Sequence, residues 1–329
     1  MNDIFEFIKQ QLALTSQKRI VFPEFTDERV LRAANRLSTE NIITPIYIGE
    51  EETIKQYAKQ FNIKLAHHEV FNPQTFEHIE ALAKVNVERR KGRIDIYTAL
   101  EQFKDPNYFA TILVYANYAD GLVSGAIHTT SSAVLPALQI IKPKKTVNKV
   151  SGAYLMIKDQ EQYIFADCAI NISPTSEELA EIALQSAATA RLLQIDPKVA
   201  MLSFSTKGSA QSPETAKIIS AVRQVKATDP TLIIDGEVQF DAAYMPTLAA
   251  KKAPDLSING DANVFVFPNL EAGNISCKIA ERLGGFQAIG PIIQGLNRPV
   301  NLLSRGCSED DVYKVALFTA LQAADQSDS

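Results

Sequence analysis

Short runs of β-branched and aliphatic residues alternate along this 329-residue chain with longer amphipathic segments, and that alternation most narrows the folds open to it. Strands are expected at 19–24, 45–48, 112–115, 154–157, 163–169, 199–205, 232–235 and 263–267. Helices are expected at 27–37, 53–61, 76–90, 133–141, 177–194, 213–225, 240–247, 271–283 and 309–324. Such a succession implies parallel βαβ units, with helices on both faces of a sheet. The segment from Glu177 illustrates the helical signal. Thr175 and Glu178 form a capping box, and Leu179, Ile182, Ala183, Ala187 and Ala190 share one face.

The length suits one large or two medium domains, and 46% hydrophobic residues supply the core. Residues 142–149 (KPKKTVNK) join proline, basic residues and low hydrophobicity between two apolar regions, and read as an interdomain connection. A net charge of −5 and a pI near 5.5 give no electrostatic footprint for nucleic acid. The basic run 88–93 (ERRKGR) reads first as a solvated helix end.

The opening MNDIFEFIKQQL carries acids and lacks the basic and apolar regions of a signal peptide. No run approaches the roughly 18 to 20 apolar residues of a membrane span. Cys168, Cys277 and Cys307 are far apart and odd in number, which argues against a disulfide framework and for a reducing cytoplasm. His67 and His68 are neighbours that point apart, and neither HExxH nor Cys-x-x-Cys occurs, so no metal site is expected. The tail ADQSDS reads as a frayed end.

Parallel sheets gather ligands at the carboxyl ends of their strands, and four polar clusters occupy such places. One is Ser124, Gly125, His128, Thr129 and Thr130 within ADGLVSGAIHTT; another is Asp167 and Asn171. The third is Ser205, Thr206, Lys207 and Gly208, and the fourth is Asn269 and Asn274. Each has a plain structural reading: a turn glycine, a hydrogen-bonded core histidine, an asparagine that caps a helix. Together they suggest a ligand cleft. Neither GxGxxG nor GxxxxGK[ST] occurs, so a Rossmann nicotinamide site and a P-loop lack their sequence signatures.

The stretch 284–311 concentrates the chemistry. After Pro299 an apolar run ends abruptly in Ser304, Arg305, Gly306, Cys307 and Ser308, ahead of a helix. On one reading, Ser308 and Asp311 form a capping box and Asp311 only favours the helix dipole. On the other, the helix N-terminus and the Arg305 fork suit an oxyanion, and a carboxylate one turn away takes a proton from a nucleophile held beside it.

The strings FPEFTDERVLRAA, ADGLVSGAIHTT with PALQIIK, FADCAIN, DGEVQFDAA, NVFVFPNLEAGNISCKIAERLGG and GPIIQGLNRPVNLLSRGCSEDD resemble the phosphate acetyltransferase (phosphotransacetylase) family, in order from about residue 19 onward. The resemblance implies an α/β fold of two αβα domains, with mainly parallel sheets and an interdomain cleft, like isocitrate and isopropylmalate dehydrogenases. It implies a discontinuous first domain, 1–145 plus 292–329, and a second at 146–291. The implied reaction interconverts acetyl-CoA plus phosphate with acetyl phosphate plus CoA by direct transfer in a ternary complex. No cofactor is tightly bound, coenzyme A being a substrate, and the implied assembly is a cytoplasmic homodimer.

By the same resemblance Ser304, Arg305 and Asp311 are catalytic, with Asp311 the base for the CoA thiol, Arg305 the phosphate ligand and Ser304 a donor to the carbonyl oxygen. Arg89, Ser124, Gly125, His128, Thr129, Thr130, Asn269 and Gln294 are implied to bind substrate. Arg90 is as arguable as Arg89 on local spacing. One departure stands out: many members carry arginine before the proline of PALQ, and this chain has Leu135 there. Two alternatives share these features, a phosphate butyryltransferase and a non-catalytic protein that binds CoA or acyl phosphate.

Overall fold

Apolar residues at helical spacing in the opening segment, Ile4, Phe5, Ile8 and Leu12, form the buried face of helix α1 (Ile4–Leu12) in the computed structural model, which describes residues 4–326. The last three residues of the ADQSDS tail lie outside the described residues. There follow β1 (Lys18–Phe22), α2 (Glu28–Thr39), β2 (Ile43–Ile48), α3 (Glu51–Gln60), β3 (Glu69–Phe71), α4 (Ile79–Arg89), α5 (Ile96–Gln102), α6 (Pro106–Tyr115), β4 (Gly121–Ser124) and α7 (Thr130–Pro136). The chain continues with β5 (Ser151–Lys158), β6 (Glu161–Ala166), α8 (Ser176–Leu192), β7 (Lys198–Leu202), α9 (Pro213–Thr228), β8 (Ile233–Val238), α10 (Phe240–Tyr244) and α11 (Pro246–Lys252). It ends with β9 (Val264–Val266), α12 (Leu270–Arg282), β10 (Gln287–Gln294), β11 (Val300–Leu302) and α13 (Glu309–Asp325).

These elements divide into two units, Met1–Pro143 with Leu296–Ser329, and Lys144–Gly295. In the first, five strands run in the order β11-β4-β1-β2-β3, each neighbouring pair parallel. Strand β11 comes from the far end of the chain and pairs Val300 with Leu122 and Leu302 with Ser124. Helix α13 packs on α1, α2, β1, β4 and β11, while α6 packs on β2, β4, α4 and α7. Phe22, Tyr47, Phe109 and Phe318 are fully buried here, and burial of such a side chain stabilises by about 1.5–3 kcal/mol.

The second unit has a sheet in the order β10-β5-β6-β9-β7-β8. Strands β10, β5 and β6 are antiparallel neighbours, and β6, β9, β7 and β8 are parallel ones. Its core gathers Met156, Phe165, Ala200, Phe265 and Cys277. Both units are α/β with mainly parallel sheets.

Four expectations need correction. Residues 112–115 are the end of helix α6, not a strand. Asp105 caps that helix and Pro106 occupies its first turn, while residues 109–114 are buried all round. A helix embedded in a core lacks the polar stripe that distinguishes it from a buried strand. The strand is instead β4, inside the ADGLVSGAIHTT segment that carries the first polar cluster. The helix expected at 240–247 breaks at Met245, because Pro246 disfavours a helical residue before it and starts α11. The segment 133–141 begins earlier, at Thr130, and passes beyond Pro136 into a wider π-helical turn, Ala137–Ile141. Strand β10 arises where no strand was expected; it lies at the sheet edge and bulges between Ile289 and Ile292, where Pro291 needs no ladder bond.

Candidate active site

Strand β11 ends at Leu302, and the Leu303 N–H donates to the Ser124 carbonyl at 2.8 Å, so the two following loops leave the sheet side by side. Residues 304–307 then turn tightly. The Cys307 N–H donates to the Ser304 carbonyl at 2.9 Å and the Gly306 N–H to Ser304 Oγ at 3.3 Å. Ser308 caps α13: its Oγ accepts the Asp311 N–H at 3.1 Å, and Asp311 Oδ2 accepts the Ser308 N–H at 2.8 Å. The capping geometry of Asp311 is therefore present. It also holds the carboxylate, half-buried, in one orientation one turn from the loop. Arg305 is exposed, and its guanidinium has no carboxylate partner among the described residues.

Three residues that the sequence reading does not single out hold these loops. Arg29 Nε and Nη2 donate to the Asp27 carboxylate at 2.9 and 2.7 Å. From that fixed seat Nη1 donates to the carbonyls of Arg305 at 3.0 Å and Cys307 at 2.7 Å, and Nη2 to that of Ala126 at 3.3 Å. One guanidinium thus joins residues 305–307 to residue 126. Its hydrogen bond holds the Asp27 carboxyl below the usual carboxylate range, and Asp27 in turn raises Arg29.

Glu24 does the same for the loop after β4. Its side chain is wholly buried, and its two oxygens accept four successive main-chain N–H groups, from Gly125 (2.7 Å), Ala126 (2.8 Å), Ile127 (3.1 Å) and His128 (2.9 Å). Oε1 also lies 2.7 Å from His128 Nδ1. Gly125 has φ +117°, and a Cβ there would stand 2.8 Å from the Leu303 carbonyl oxygen, so neither the turn nor the close approach of β11 admits a side chain. The signal for all three residues lies in FPEFTDER, where a glutamate stands two residues past a strand and two acids and an arginine open a helix.

The remaining expected site residues divide between the units. Ser124 is buried and donates to Asn107 Oδ1 at 2.6 Å. Thr129 caps α7, accepting the Ser132 N–H at 3.3 Å, and Thr130 is exposed. Arg89 lies over the Tyr115 ring and donates to the carbonyls of Ile140 at 2.8 Å and Ile141 at 3.1 Å, whereas Arg90 contacts Gln139. Lys142 nearby has its pKa lowered by burial and by the charges of Arg89, Lys91, Arg90 and Arg93. Leu135 is exposed on α7.

In the second unit Asn269 caps α12, and Gln294 is buried among Ser151, Ser186 and Thr189. The Cys307 thiol is buried, which pushes its pKa up to about 11.

The arrangement in the first unit pairs an accessible guanidinium and a hydroxyl with a fixed carboxylate at a helix N-terminus, which suits transfer to or from an oxyanion. Comparison with known proteins agrees. The family model for phosphate acetyl/butaryl transferase matches residues 3–320. The phosphate acetyltransferase of Bacillus subtilis (strain 168) is 55% identical over 323 residues, 98% of this chain and 100% of that protein. Among solved structures, the EutD phosphotransacetylase from Staphylococcus aureus superposes with a TM-score of 0.90 at 53% identity, over 98% of each chain. A phosphotransacetylase from Streptococcus pyogenes does so with a TM-score of 0.93 at 48% identity, again over 98% of each chain. With a fold, a loop set and full-length relatives in agreement, this chain belongs to the phosphate acetyl/butaryl transferase family of enzymes.

Proposed function

We propose that this enzyme interconverts acetyl-CoA plus inorganic phosphate with acetyl phosphate plus CoA, by direct transfer while both substrates are bound. The observation that carries the reading is the loop 304–311, in which Ser304, Arg305 and Asp311 stand together at the start of α13. Asp311 takes the proton of the CoA thiol. An ordinary thiol, with a pKa of about 8.5, is only a few per cent ionised at neutral pH, so a positioned base supplies the nucleophilic thiolate. Arg305 binds the phosphate in a fork that lysine could not reproduce. Ser304 donates to the carbonyl oxygen as negative charge grows there.

The buried Cys307 supports direct transfer: a thiol whose pKa is pushed up to about 11 is a poor acyl carrier at neutral pH. The enzyme works as a cytoplasmic homodimer on this reading. Three free, buried cysteines support a reducing compartment. The exposed row Ile275, Ile279 and Leu283, spaced four apart along and just beyond α12, supports a self-association surface. Sedimentation of an Ile279→Lys, Leu283→Lys variant should show the monomer if that surface is the interface.

The test is thioester formation from acetyl phosphate and CoA, with butyryl phosphate beside it. Wild type should favour acetyl phosphate, and Asp311→Asn and Arg305→Ala should each lower kcat by about 10²–10⁴-fold. Full activity in Asp311→Asn would return that residue to helix capping alone. Preference for butyryl phosphate would make the enzyme a butyryltransferase, and CoA binding without turnover a non-catalytic binding protein.

A further inference from the structure

The Glu24–His128 pair has a geometry that the roles of Ser304, Arg305 and Asp311 do not use. Glu24 Oε1 accepts the N–H groups of Ile127 and His128 and lies 2.7 Å from His128 Nδ1. An oxygen that accepts from two amides is an acceptor toward the ring as well, so the hydrogen on that side belongs to Nδ1. Nε2 is then left at the far side of the ring, where it has no hydrogen-bond partner among the described residues. The His128 side chain is 32% exposed, while that of Glu24 is 0%. The pair also sits beside the loop of the proposed chemistry, because Arg29 bonds to the carbonyls of Ala126, Arg305 and Cys307 with one guanidinium.

We propose that His128 is a catalytic residue that carries the proton of the phosphate substrate through Nε2, with Glu24 as its positioning residue. This rests on the reaction proposed above. In the direction of acetyl phosphate formation, an oxygen of hydrogen phosphate attacks the thioester carbon and its proton passes to Nε2. The C–O bond forms, the C–S bond breaks, and the departing thiolate takes the proton of the Asp311 carboxyl.

In the opposite direction Asp311 takes the thiol proton, the C–S bond forms and the C–O bond breaks. His128 then returns its proton to the departing oxygen, so that phosphate leaves as hydrogen phosphate and not as the strongly basic trianion. Each turnover in this direction moves one proton from His128 to Asp311, and exchange with water restores both. The buried carboxylate, the imidazole and the reacting hydroxyl stand in the order of a serine hydrolase triad, with the phosphate hydroxyl in the nucleophile's place.

The test compares two acyl donors in wild type and His128→Gln. Acetyl phosphate releases a group that needs a proton; acetyl methyl phosphate releases methyl phosphate, which departs as a stable dianion without one. For His128→Gln, kcat with acetyl phosphate should fall by about 10²–10⁴-fold with the KM for CoA unchanged, and the loss with acetyl methyl phosphate should be at least about tenfold smaller. Added imidazole should also restore part of the activity of His128→Ala, a readout available even if the methylated donor turns over slowly. Equal losses with both donors, or no restoration by imidazole, would overturn the proposal and leave His128 a loop residue. A wild type that transfers nothing from acetyl phosphate would instead sink the proposed function, a result distinct from either.

Discussion

At the scale of the residue, the groups proposed for the chemistry lie on loops that buried or half-buried side chains hold in place. The buried Glu24 satisfies four amides and an imidazole at once, so its removal leaves those donors without an acceptor. Glu24→Ala should cost about 3–5 kcal/mol of stability, read by urea denaturation, because an unpaired buried partner loses its full desolvation penalty. Cys307 gives a second prediction. With its pKa at about 11, its alkylation by iodoacetamide near neutral pH should run about a hundredfold slower than that of a thiol of ordinary pKa. The sign for stability follows from the raised folded pKa. The buried thiol contributes fully below about pH 8.5, where the unfolded thiol is also protonated, and that contribution is lost as pH climbs toward about 11.

At the scale of the element, the site depends on how closely β4 and β11 approach. Gly125→Ala would force a side chain onto the Leu303 carbonyl at a φ that L residues rarely adopt. It should destabilise by about 1–3 kcal/mol and lower activity by disturbing residues 303–307, as denaturation and steady-state kinetics on one variant would show. The same elements mark what was legible in the sequence. The capping boxes at Thr175 and Ser308 were readable because each is a local pattern four residues long. Ser304, Arg305 and Asp311 could be proposed from the sequence because they fall within eight residues of one another in a specific string. Glu24 and Arg29 were not, since their meaning lies in partners about a hundred and nearly three hundred residues away. Helix α6 was misread for the opposite reason: beyond its Asp105–Pro106 start, its local pattern is that of any buried segment.

At the scale of the whole molecule, the two units differ in how they are written into the chain. The second is one continuous stretch, Lys144–Gly295, with all six strands of its sheet inside it. A fragment 144–295 should therefore fold alone and unfold cooperatively by circular dichroism. The first unit needs β11 and α13, and a fragment 1–143 would bare the edge of β4 and the surface that Val315, Ala316 and Phe318 help to cover. It should aggregate or remain unfolded in gel filtration. This discontinuity has a consequence for synthesis on the ribosome. The second unit has its whole sequence before residues 296–326 are made, while the first waits as an open sheet. The loop bearing Ser304, Arg305 and Asp311 arrives on the same segment that closes that sheet, so a chain cut short before it lacks both a finished fold and the residues proposed for transfer.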